Sequence, residues 1–183
     1  MTVATDIVVP SSARGQPWRV LLWLAPLTVF WIALNYWLPA LPASWLIGLQ
    51  VYRVLGGIFL VGWARGVIPG LFALPAGIGD VTTGLLALPV AYSLASRNGD
   101  AARAGIAWNI FGLVDFTVAV GIGLATAPGP FQLIVPSIPN TGVGLYPTVL
   151  IPAFAVPSSI LLHVLSLRQL RRATRRGRTL HSA

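Results

Sequence analysis

Apolar residues run along this chain in long blocks, and Pro, Gly and short polar stretches separate them. The blocks predict five membrane-spanning helices, at roughly 18–38, 44–64, 71–95, 103–126 and 145–170. Each is close to the ~20 apolar residues that carry a helix across a hydrocarbon core of ~30 Å. Breaks between blocks have local causes. Pro39 and Pro42 stop the first, because proline cannot continue the hydrogen-bond ladder. The segment 65–70 (RGVIPG) follows the second block, and 96–100 (SRNGD) is a polar turn after the third. Residues 127–144 are rich in Pro and Gly and carry no charge, so they read as a re-entrant piece or a loop over the bundle. Irregular backbone at membrane depth survives only against protein or water.

The expected organisation is an N-terminal tail at 1–17, an all-α transmembrane helical bundle at 18–170 and a basic C-terminal tail at 171–183. A cleaved signal peptide is an alternative for the first block, though the extension before it is long for one.

Composition agrees. Of 183 residues 56% are hydrophobic and 9% charged, with a mean hydropathy of +0.80. A soluble domain carries about 25% charged residues, so much of this surface needs lipid as its solvent. The net charge of +8 does not imply a nucleic-acid partner, because six of the twelve cationic residues follow Leu167. Basic residues beside a membrane helix are a topology signal. Arg168, Arg171, Arg172, Arg175, Arg176 and Arg178, with Arg97 and Arg103, outnumber Arg14, Arg19 and Arg65 on the other side. The C terminus is therefore expected in the cytoplasm. Arg14 and Arg19, around the start of the first block, pull the other way. Trp18, Trp37, Trp45, Trp63, Tyr92 and Tyr146 fall near block ends, as an interfacial belt would.

Several chemistries are excluded. Without Cys there are no disulfides, thiolate nucleophiles or cysteine-held clusters. Without Lys there is no retinal-type Schiff base, and a single intramembrane histidine, His163, cannot give a haem both axial ligands. No metalloprotease helix, nucleophile elbow or phosphate loop is present, so no catalytic residue, metal ligand or cofactor is assigned. A small membrane enzyme would have to work with Asp80, Asp115 and His163 alone.

Three charges lie deep inside the blocks: Arg53, Asp80 and Asp115. At ~1.5 Å per residue all three come out near the bilayer middle. A charge there costs about 2.5–3.5 kcal/mol on insertion scales, and pairing lowers that cost. Arginine's five-donor fork suits carboxylates. One Arg between two Asp leaves one negative charge, which a proton, a bound cation or water would complete. The site is thus a candidate proton or ion site, and its alternative is an internal salt bridge that only fixes helix register.

His163 is a second candidate. It shares a helix face with Ser159 and Ser166, and the counting puts it toward the cytoplasmic end. Its alternative is a neutral histidine bonded to a neighbouring helix. Supporting polar residues are Gln50, one turn before Arg53; Thr83, three residues after Asp80; and Asn109, expected as interhelical glue on a different face from Asp115. Pro147, Pro152 and Pro157 predict a kinked start to the last span.

The strings at 50–60 (QVYRVLGGIFL), 72–80 (FALPAGIGD) and 108–115 (WNIFGLVD) resemble a family of small, uncharacterised bacterial polytopic integral membrane proteins, over about 45–170. The resemblance implies a compact helical bundle in the bacterial inner membrane. It carries no activity over to any residue.

The function expected from the residues is movement or sensing of a proton, small ion or small solute. The alternative is a non-catalytic accessory or assembly subunit of a membrane complex. Expected companions are the bilayer, anionic lipids at the basic tail, and a homo-oligomeric or membrane-complex partner.

Overall fold

The computed structural model describes Ile32 and residues 36–181, with side chains as far as Thr174. The expected tail at 1–17, and most of the expected first span, lie outside the described residues.

Four helices are long and apolar enough to cross a membrane. Helix α1 (Ala43–Ala64) and helix α2 (Gly70–Ala95) are joined by a tight turn in which Gly66 has a φ of 69°. Helix α3 (Ala101–Thr126) follows the polar turn. An irregular connection containing one short 3-10 turn (Gly142–Gly144) leads to a π turn (Ile151–Ala155), and helix α4 (Val156–His181) is the last described element. The described residues contain no strand. At 1.5 Å per residue the 26 residues of α2 reach roughly 39 Å, enough to cross a ~30 Å hydrocarbon core.

The sides of the helices are inverted relative to a soluble protein. Leu71, Ile78, Leu85, Ile110, Val114, Val118 and Leu124 are exposed, while Gln50, Arg53, Thr83, Asn109, Ser159, His163 and Ser166 are buried. Lipid stabilises such a surface and water does not. Trp45, Trp63, Tyr92 and Tyr146 stay exposed near helix ends. The chain is an integral, multi-pass, all-helical membrane protein.

Two compact units divide the chain at Ala40/Leu41. In the first, the described part ends in a 3-10 turn (Leu38–Ala40), and the Tyr36 and Trp37 rings meet edge to face at 6.3 Å. The second holds the bundle. Its interior has two apolar clusters. Phe59, Ile68, Phe72, Ala73 and Ala76 form one, with the Phe59 and Phe72 rings 5.1 Å apart. Ile47, Ala87, Trp108 and Leu170 form the other. Along α1 and α2 the polar residues fall between them.

Helix α1 departs from α geometry over Leu49–Gly57, nine residues of 3-10 helix. Runs that long are uncommon. The burial pattern supplies a reason. Ile47, Gln50, Arg53, Gly56, Phe59 and Gly62 are all buried, one at every third position. Three residues per turn keep such a set on one straight face; 3.6 would spiral it into lipid.

The last span differs from expectation. Residues 145–149 are irregular, with Pro147 and Pro152 each withholding an N–H, so regular helix begins later. At the other end α4 runs on through the arginine cluster as far as His181. Residues 127–144 hold one short 3-10 turn and no longer helix, with Val143 against the Phe59–Phe72 cluster.

Candidate functional site

All four spanning helices contribute to one polar centre. Arg53 stands on the 3-10 face of α1 and is 3% exposed. Its Nε donates to Asp80 Oδ1 at 2.8 Å and its Nη2 approaches the same oxygen at 2.7 Å. Nη2 also donates to Asp115 Oδ2 of α3. Nη1 lies 3.0 Å from His163 Nε2 of α4, and the guanidinium carbon sits 3.8 Å above the Phe116 ring. The fork thus holds two carboxylates and an imidazole, with an aromatic face behind it.

The donor count fixes the histidine. A guanidinium only donates, so His163 Nε2 must accept. The ring proton then sits on Nδ1, which is 2.8 Å from Asn109 Oδ1. That oxygen also lies 2.8 Å from Ser166 Oγ, whose one proton it shares with the Leu162 carbonyl at the same distance, and Asn109 Nδ2 donates to the Gly105 carbonyl at 2.8 Å. One directed chain of hydrogen bonds therefore runs from Ser166 and His163 onto Asn109, and from Arg53 onto His163, Asp80 and Asp115. Trp108 lies against the imidazole with ring centroids 4.8 Å apart.

Arg53 is the one cationic side chain in this centre and faces two carboxyl groups, so with both ionised the centre carries a net negative charge. Among the described residues no donor reaches Asp80 Oδ2 or Asp115 Oδ1.

Glycines make room for the charged and imidazole groups. Asp80 of α2 packs onto Gly56 of α1, Asp115 of α3 onto Gly79 of α2, and His163 of α4 onto Gly112 of α3. A methyl group at any of these three positions would collide with the side chain above it.

The expected residues separate into those that meet and those that do not. Arg53, Asp80, Asp115 and His163 converge. Asn109 and Ser166 join them through His163, so Asn109 does bridge α3 to α4. Ser159 lies 2.6 Å from Tyr52 Oη instead, a contact between α4 and α1 with no place in the expectation. Thr83 donates to the Gly79 carbonyl at 2.8 Å and not to Asp80, the usual way for a helical threonine to satisfy its hydroxyl. Gln50 is fully buried on the Arg53 face but bonds neither Arg53 nor any other described group. His163 was expected near one membrane surface; it lies at the level of Arg53. Tyr52 and Phe116 were not singled out from the sequence, where an aromatic beside an ionic residue looks like any other core position.

Next to the centre a largely apolar cavity of about 470 Å³ opens toward the α3–α4 connection. Asp80 and Asn140 line it, together with Phe59, Phe72 and Phe116. Asn140 Nδ2 donates to Thr126 Oγ1 at 2.8 Å, while its Oδ1 is buried without a partner. Among the described residues no group of three His or Asp is arranged to hold a metal ion.

No curated protein and no solved structure matches the chain. A family described as a domain of unknown function, DUF8737, matches it over residues 18–171. That match takes in nearly the whole bundle and every residue of the polar centre, and the chain belongs to the DUF8737 family.

Proposed function

We propose that the protein moves or senses a proton, small ion or small solute through the centre formed by Arg53, Asp80, Asp115 and His163. One observation carries this reading: a single guanidinium faces two carboxyl groups at mid-bundle, so with both ionised the centre holds one negative charge more than pairing needs. Burying that charge is costly. Taking up one proton or one cation neutralises it, and releasing the cation restores it. A carboxyl in such a place is a proton carrier by position and chemistry alone.

Conduction needs the centre to open, since the Arg53, Asp80 and Asp115 side chains are only 2%, 10% and 8% exposed. The 3-10 stretch supplies a route. Rewinding Leu49–Gly57 from three to 3.6 residues per turn changes the rotation by roughly 20° per residue, or roughly 80° between Leu49 and Arg53. That swing takes the guanidinium off the carboxylate face without unfolding the helix.

The reading sets the chain in a bacterial inner membrane with its C terminus in the cytoplasm, supported by the eight arginines on that side of the topology. The basic end of α4 then meets anionic lipid. A second reading, an accessory or assembly subunit, has one observation in its favour: every arm of the Arg53 fork is already occupied, as in a purely structural clamp.

Liposomes separate the two. Wild-type protein is expected to carry proton or cation flux, and Asp115→Asn to lose it. No flux from the wild type, or equal flux from both, overturns the transport reading.

A further inference from the structure

The cavity beside the polar centre is a slot with a direction. On α3 its wall is Phe116, Val120, Gly123 and Ala127, one stripe at helical spacing. The eleven steps from Phe116 to Ala127 rise about 16 Å at ~1.5 Å each. That is the depth of one leaflet, half of a hydrocarbon core of ~30 Å. The slot therefore runs as a lipid chain runs, from the end of a spanning helix to mid-membrane. Phe59 and Phe72 continue its hydrocarbon lining, and its volume of about 470 Å³ falls within the ~300–1,000 Å³ of small-molecule sites.

The two ends differ. At the deep end Phe116 backs the Arg53 guanidinium, and Asp80 is the one charged side chain among the described residues of the lining. At the shallow end stand Asn140 and Thr141. Thr126 Oγ1, at the end of α3, gives its proton to the Ile122 carbonyl at 2.7 Å, so it accepts from the Asn140 amide NH₂ at 2.8 Å. Asn140 is 2% exposed, and its Oδ1 is left without a donor. Thr141, the next residue, brings a hydroxyl that donates or accepts.

We propose that this slot binds a long-chain neutral alcohol drawn from the membrane, with its hydroxyl at Asn140 and Thr141 and its single hydrocarbon chain along α3 down to Phe116. One hydroxyl both donates and accepts, which suits a carbonyl oxygen lacking a donor beside a threonine hydroxyl. A charged head fits less well. Among the described residues no charged side chain lines the shallow end, so an ammonium or a carboxylate would sit there without a counter-charge. The alcohol site is separate from the Arg53 fork, so it stands whether or not the polar centre carries flux.

Photolabelling of the full-length protein in phosphatidylcholine nanodiscs tests it, because that head group has no O–H or N–H. The probe is dodecanol with a diazirine near the end of its chain, and adducts are mapped by mass spectrometry. Label should fall saturably on residues 116–120. Unlabelled dodecanol should compete for it at least about tenfold better than dodecyl methyl ether, dodecanoate or dodecylammonium. Asn140→Leu should weaken the alcohol about tenfold and leave the ether unchanged. Val120→Trp, which fills the slot from a half-exposed position, should abolish labelling. No saturable label at the deep end, equal competition by alcohol and ether (a bare acyl-chain slot), or stronger competition by either charged analogue overturns the proposal. So does alcohol binding that is unchanged in Asn140→Leu or in Val120→Trp.

Discussion

Asp115 of α3 occupies the space that a side chain at Gly79 of α2 would need; a β-carbon there would run into the carboxylate. The same fit recurs at each step around the bundle, with Asp80 on Gly56 and His163 on Gly112. Helices can bring their ionic groups onto one guanidinium because each preceding helix lacks a β-carbon at the point of contact.

Gly79→Ala should therefore push Asp115 off Arg53. Overpacking of this kind costs about 1–3 kcal/mol. Gly121→Ala on α3 is the control, because nothing lies within 4 Å of its added methyl. That replacement should be neutral or slightly stabilising, as Ala is the better helix former. Thermal unfolding in detergent compares them, and equal midpoints would remove the close fit as a constraint.

The ionic partners are unequal, since one of the two carboxylates is surplus. Arg53→Gln leaves two carboxylates without their counter-charge and should cost about 3–5 kcal/mol. Asp115→Asn leaves the Arg53–Asp80 pair intact and should cost less than half as much. Adding Asp80→Asn to Arg53→Gln should recover part of the loss. Additive effects in that double variant would mean that the pair is not coupled.

Much of this was legible in the sequence. The spans expected at 44–64, 71–95 and 103–126 match α1, α2 and α3 to within two residues, because Pro, Gly and polar turns mark their ends. Depth counting brought Arg53, Asp80 and Asp115 to one level, where they meet. The last span resisted. Its apolar run starts near 145, but its prolines delay the regular helix, and the π turn begins only at Ile151. With the start placed six residues early, His163 was assigned too near one surface; counted from Ile151 it is mid-span. The fate of Thr83 was hidden for a different reason. Side chains three or four residues apart share a face, but backbone carbonyls compete for them, as Gly79 does for Thr83.

The tautomer of His163 is open to direct measurement. Nitrogen-15 spectra of labelled protein should show a protonated Nδ1 and an unprotonated, accepting Nε2. The chain has two histidines, and His181→Gln removes the other. A proton on Nε2 would be incompatible with the bond to Arg53, and the chain of hydrogen bonds through Asn109 would have to be redrawn.

The three-residue repeat in α1 makes the sharpest claim about backbone geometry, and the absence of native Cys makes it easy to test. In a regular α-helix, Ile58 would lie about 20° from Ile47 and Phe59 about 120° away, so Ile58 would face the bundle. The 3-10 stretch reverses this: Phe59 is 3% exposed and Ile58 is 37% exposed. N-ethylmaleimide should therefore label Ile58→Cys readily and spare Phe59→Cys in detergent-solubilised protein. The opposite pattern would mean that α1 is an ordinary helix and that Arg53 cannot be swung by rewinding it. A pattern that begins as expected and reverses when a proton gradient is applied would tie a turn of this face of α1 to the working cycle, as rewinding of the 3-10 stretch requires.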